Sequence, residues 1–74
     1  MNRRRVKLSF PPEVINEPIL FNLSQQFRVI TNIHLADIRA DMGWVVMEIE
    51  GSQADIESGL AWLAGLGIKV EASA

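Results

Sequence analysis

Apolar and polar residues alternate at the start of the chain. Val6, Leu8 and Phe10 are separated by polar residues, and two prolines follow at positions 11 and 12. A period of two is typical of a strand with one buried face. Proline cannot donate to a sheet ladder, so it ends such a strand. The pattern predicts a first strand that runs to about Phe10.

A helical spacing of apolar residues follows. Pro18 suits the first turn of a helix, with Asn16 or Glu17 as the N-cap. Phe21 points away from the apolar face of this helix, which makes it a candidate for a loop, interface or ligand contact. The predicted apolar face consists of Ile19, Leu20, Leu23 and Phe27.

A second helix is predicted after position 51. Ser52 is its expected N-cap, with Asp55 three residues on as in a capping box. Gly65 and Gly67 supply the stop signal. The predicted apolar face consists of Ile56, Leu60 and Leu63, flanked by Trp62.

Three further strands are predicted. The segment from Arg28 to Ile38 is rich in β-branched residues, and a turn at positions 41–43 leads into a strand from Trp44 to Glu50. A short strand runs from Ile68 to Glu71. If the period of two is unbroken in the second strand, the residues that face the helices are Val29, Thr31, Ile33 and Leu35. The residues on the open face are then Ile30, Asn32, His34 and Ala36. A β-bulge would invert this assignment.

The element order βαββαβ predicts a ferredoxin-like α+β sandwich in a single domain over residues 1–74. This fold has a four-stranded antiparallel sheet, both helices on one face, and the second and fourth strands at the edges. Between Val29 and Ile38 there is no proline and no lysine to protect the edge. We therefore expect a homodimer in which this edge pairs with its symmetry mate, or is covered by a helix or a swapped first strand.

Composition narrows the classes of function. The chain has 74 residues, a net charge of -2 and no cysteine, which excludes thiolate metal sites, iron-sulfur clusters and cysteine nucleophiles. Four of the seven basic residues lie within the first seven positions, and the rest of the chain is acidic, so we expect no nucleic-acid partner. No apolar run is long enough to enter a membrane. We expect a cytoplasmic protein without a cofactor.

Candidate catalytic residues are few. His34 is the single histidine, and Glu48 and Glu50 share one face of a strand. A lone histidine on a strand is more often structural, and nothing in the sequence indicates a cleft that would raise the pKa of either glutamate. The cysteine pair of a metallochaperone and the stacked aromatics of an RNA-binding sheet are missing too. We therefore expect a non-enzyme.

Several features together resemble one family over the whole chain. They are Phe10-Pro11 at the end of the first strand, the helix that starts at Pro18, Asn32-Ile33, Gly43, and the stretch from Leu63 to Glu71. This set resembles the NIL domain, an ACT-like module at the C-terminus of methionine-importing ABC transporter ATPases that is named for an Asn-Ile-Leu stretch. In this chain His34 replaces the leucine of that stretch.

The resemblance implies a homodimer and, as in the transporters, binding of L-methionine that shuts down import. Because the chain has no Walker A loop, the resemblance implies a stand-alone regulatory module. Its implied partner in trans is a transporter or a ferredoxin-type protein. The implied ligand-binding residues are Asn32, Ile33 and His34. A side-chain amide such as that of Asn32 both donates and accepts hydrogen bonds, which suits an α-carboxylate and an α-ammonium.

A second hypothesis needs no small ligand. In this alternative the domain is a protein-interaction or dimerisation module, and Phe21, Trp44 and Trp62 contact a protein partner. Aromatic side chains are favoured anchors of protein interfaces.

Overall fold

The computed structural model describes residues 1–73, which form six elements in the predicted order. Four strands make one antiparallel sheet in the order β2-β3-β1-β4, so β2 and β4 are the edges, as predicted. This is the ferredoxin-like α+β fold. The elements are β1 (Asn2–Phe10), α1 (Ile19–Gln26), β2 (Ile30–Ile38), β3 (Gly43–Gly51), α2 (Gln53–Gly65) and β4 (Lys69–Ala72).

One core lies between the sheet and the two helices. On β3 every second side chain is buried, and Met47 at its centre has no exposed surface. The helices contribute the apolar faces that their spacing predicted, with Leu23 and Leu63 fully buried. A chain of this size has room for little more than one such cluster, so each buried side chain carries a large share of the stability. Within residues 1–73 no helix has the length and apolar character needed to cross a bilayer.

The start of α1 differs from the prediction. Its N-cap is Pro18, and neither Asn16 nor Glu17 caps the helix. The Glu17 N–H donates to the Val14 carbonyl at 3.0 Å, and the Glu17 carbonyl accepts from Ile19 at 2.8 Å, so Glu17 belongs to the preceding turns. Since proline has no side-chain acceptor, the first turn of α1 has no side-chain cap.

The start of α2 confirms the prediction. The Ser52 Oγ accepts a hydrogen bond of 3.0 Å from the Asp55 N–H, and the Ser52 hydroxyl donates to the Asp55 carboxylate at 2.9 Å. At the other end the helix stops at Gly65, and Gly67 has a φ of 85°. That left-handed conformation favours glycine and turns the chain towards β4.

Ser52→Ala is expected to lower the free energy of unfolding by about 1 kcal/mol, because an exposed N-cap acceptor is lost. Urea denaturation followed by circular dichroism measures this change. The matched control is Ser58→Ala, since Ser58 is exposed within the same helix and its loss should change stability by less than about 0.5 kcal/mol. Equal effects of the two substitutions would contradict the capping role.

A β-bulge in β2 corrects the predicted assignment of its faces. Ile33 lies opposite Met47, but the next pair in register joins Leu35 to Val46, so His34 is the extra residue. An extra residue shifts the alternation by one position. Leu35 therefore lies on the open face and Ala36 on the helix side, the reverse of the expectation.

The open face of the sheet carries cross-strand charge pairs between β1 and β3. Arg3 Nη2 lies 2.9 Å from Glu50 Oε1, and Arg5 Nη2 lies 3.6 Å from Glu48 Oε2. Both pairs are partly exposed, so each contributes a few tenths of a kcal/mol at most. This face is a solvated, mainly polar surface.

Candidate functional site

A groove of about 310 Å³ opens on the helix side of the sheet, between β2 and the segment that leads into α1. Its floor contains Phe10 from β1 and Val45 from β3. Small-molecule pockets commonly have volumes from about 300 Å³ upwards and apolar walls. The groove is therefore at the small end of the range that holds a ligand.

One wall comes from the segment between β1 and α1. Pro11 accepts a hydrogen bond from the Val14 N–H at 3.2 Å, which folds this segment into a turn. That turn directs the apolar pair Val14-Ile15 towards the groove, and Phe21 stands at its rim. Glu17 also lines this wall. Among the described residues that line the groove, it is the one with a charged side chain.

The opposite wall is β2, and the bulge at His34 determines which residues form it. Ile33, Ala36 and Ile38 line the groove. Without the bulge, the alternation would place Leu35 and Asp37 on this side in place of Ala36 and Ile38. The bulge thus excludes a carboxylate from an apolar wall and places a small side chain at its centre.

The three predicted site residues do not line one surface. Ile33 lines the groove. Asn32 lies opposite Glu48 in the register with β3, on the open face. His34 also turns to that face, where its Nε2 lies 3.4 Å from Glu48 Oε1. Within one chain, then, only Ile33 reaches the groove, and the other two residues lie beside Glu48.

Several groove residues escaped the sequence analysis, notably Ile15, Glu17 and Ile38. One signal was present, because Val14-Ile15 is an apolar pair within a segment otherwise rich in proline, glutamate and asparagine. Ala36 and Ile38 could not be assigned without knowledge of the bulge. Phe21, which the sequence singled out, is 62% exposed and lies at the rim.

The two tryptophans have separate surroundings. Trp62 packs its ring 6.0 Å from that of Phe27 beside the core, which is a structural position. Trp44 lies on the open face, where Lys7 Nζ is 5.2 Å from its ring centroid. Neither lines the groove. Among residues 1–73, no group of three histidine, aspartate or glutamate side chains could hold a metal ion.

Strand order, helix placement and the groove at the edge strand define the chain as a ferredoxin-like domain with an apolar groove. The family model of the NIL domain matches residues 4–72. The chain belongs to the NIL domain family, which confirms the resemblance found in the sequence.

Two curated relatives carry the same name. The chain is 33% identical over 69 residues to the methionine import ATP-binding protein MetN of Helicobacter pylori strain J99, and 32% identical to that of Helicobacter acinonychis strain Sheeba. Each match covers 88% of this chain and 21% of the relative. The chain thus spans about a fifth of the length of these relatives.

A solved structure supports the fold. The C-terminal domain of an ABC transporter ATP-binding protein from Enterococcus faecalis superposes with a TM-score of 0.83 at 22% identity. The match covers 93% of this chain and 81% of that one. Because the identity is low, this likeness concerns the fold alone.

Proposed function

We propose that this domain is a non-catalytic regulatory module that binds an amino acid such as L-methionine at or near a homodimer interface. The observation that carries the proposal is an apolar groove beside an edge strand with exposed apolar side chains, in a NIL domain whose relatives are named for methionine import. The groove suits an unbranched apolar side chain, because its lining is mainly apolar and its size is small.

The edge strand supports the proposed dimer. Ile30, Ile33, Leu35 and Ile38 on β2 are each more than half exposed. Ile33 and Ile38 lie on the groove side of this strand, and Ile30 and Leu35 lie on the open face, so large apolar side chains are exposed on both sides of one edge. Several exposed apolar side chains along one edge are typical of an interaction surface. A second copy placed along β2 would cover these side chains and close the open side of the groove.

The bulge shapes this contact. It interrupts β2 at His34, so a long uninterrupted ladder between two copies is disfavoured and apolar side chains carry most of the contact. Asn32 lies on the open face of the strand that both copies would share, and not in the groove of its own chain. We therefore retain Asn32 as the proposed polar contact, reached from the open-face side of the interface.

We place this domain in the cytoplasm, with a methionine transporter as its proposed regulatory target. The relatives are ATP-binding proteins of methionine import, and a domain that senses the imported amino acid can report its supply. Such coupling requires that the ligand binds two states of the target with different affinities. A ferredoxin-type protein is the other proposed partner class.

Calorimetric titration with L-methionine tests the proposed function. Ala36→Phe is expected to weaken binding at least about tenfold, because the larger ring fills the centre of the groove wall. Asn32→Ala measures the contribution of the amide. The control is Ala61→Phe, the same change at an exposed position of α2, and it should bind like the unaltered chain.

The absence of heat with each of the twenty amino acids would refute the proposal. It would favour the alternative of a protein-interaction module, which one observation supports: Ile30 and Leu35 lie on the open face, where a ligand in the groove does not cover them. A pull-down that recovers one stoichiometric partner at every level of methionine would be the result expected from that alternative.

A further inference from the structure

Glu17 is a charged residue in an otherwise apolar wall. Its carboxylate has no hydrogen bond or ion pair within residues 1–73, and it lines the groove next to Pro18. We infer that the groove selects a ligand with a protonated amine at one end of an apolar chain, and that Glu17 binds this amine. The inference rests on the proposed function, because it names the class of ligand for the same groove.

The backbone holds Glu17 in place at the groove. Its N–H donates to Val14 at 3.0 Å and its carbonyl accepts from Ile19 at 2.8 Å. Pro18 follows, and its ring restricts the backbone at this point. The side chain itself is exposed and free to meet a ligand. A carboxylate with a fixed backbone and no internal partner is suited to bind an external cation.

The charges around the groove determine which charged group of a ligand can be bound. No lysine, arginine or histidine is among the described residues that line it. Arg39, near the end of β2, already pairs with Asp37 at 3.3 Å. The site therefore has a charged partner for an ammonium group and none for a carboxylate. Apolar amines and apolar amino acids should bind more tightly than the corresponding deaminated acids.

A structural role for Glu17 competes with this inference. A negative charge just before α1 would favour the helix dipole, since the first turn has no acidic residue and no side-chain cap. That role affects the stability of the domain and is indifferent to the charge of a ligand. The two roles are separated by the measurement of affinity and stability on the same variants.

The experiment titrates three probes that share one apolar chain: L-methionine, 3-(methylthio)propylamine and 4-(methylthio)butanoate. The amine, which lacks the carboxylate, is expected to bind at least about tenfold more tightly than the acid, which lacks the ammonium. Glu17→Gln should weaken methionine and the amine about fivefold and leave the acid unchanged, because the lost ion pair is exposed. Calorimetry provides the affinities, and urea denaturation provides the stabilities.

Glu13→Gln is the matched control. Glu13 is exposed in the same segment but does not line the groove, and its replacement changes the net charge equally. Equal weakening by both variants would show a general effect of charge and overturn the inference. So would an acid that binds as well as the amine, or a Glu17→Gln variant with lower stability and unchanged affinity. If none of the three probes binds, the proposed function itself fails; if methionine binds and the amine does not, only this inference fails.

Discussion

Leu35→Lys is expected to convert a dimer of this domain into a monomer. Leu35 is 62% exposed at the middle of the edge strand, in the surface that the proposed dimer buries. Lysine is one of the residues with which natural proteins keep sheet edges apart, and two copies at a two-fold interface bring the introduced charges near each other. We expect the dissociation constant of the dimer to rise at least about a hundredfold.

Analytical ultracentrifugation at micromolar concentration measures this effect. The control is Leu66→Lys, the same change at a partly exposed position after α2, outside β2 and the groove. That variant should sediment like the unaltered chain. A single species near 8.3 kDa for the unaltered chain would refute the dimer. A Leu35→Lys variant that remains dimeric would instead show that the copies associate through another surface.

Leu23→Ala is expected to lower the free energy of unfolding by about 3 kcal/mol. Leu23 lies on α1, has no exposed surface and belongs to the core between the helices and the sheet. The truncation removes buried methyl groups and leaves a cavity, which costs about 2–5 kcal/mol. A domain of this size has a total stability of about 4 to 11 kcal/mol, so a large share of the unfolding free energy would be lost.

Urea denaturation followed by tryptophan fluorescence measures the loss. Phe21→Ala is the control on the same helix, because Phe21 is exposed at the groove rim. Its truncation should change the stability of the monomer by less than about 0.5 kcal/mol. If Phe21→Ala destabilised the domain as much as Leu23→Ala, the apolar face of α1 would be wrongly assigned.

The position of His34 links the fold to the groove. This residue stands where the family stretch has leucine, and it is the extra residue of the bulge. Its imidazole turns to Glu48 on the open face, and the residues after it exchange faces. As a consequence Ala36 and Ile38 form the groove wall. In this chain the bulge at His34 therefore sets which residues of β2 form the groove wall.

The amino-acid sequence by itself determined the element order and the core. Periods of two and of about 3.6 residues identified the strands and helices, because each element must bury one apolar face. The cap at Ser52 and the stop at Gly65 were also predictable, because helix ends depend on hydrogen bonds and backbone angles within a few residues. The likeness to the NIL domain was recognisable at this level too, and the family match confirmed it.

Only the tertiary structure decided the faces of β2 and the site. A bulge depends on how one strand registers with its neighbour, and the pairing of Ile33 with Met47 and of Leu35 with Val46 is not visible in the local pattern of β2. The groove joins residues from four parts of the chain, from Phe10 to Val45, and their approach follows from packing. The position of Glu17 beside the apolar residues of the groove also follows from packing, because contacts between residues distant in sequence form only in the complete fold.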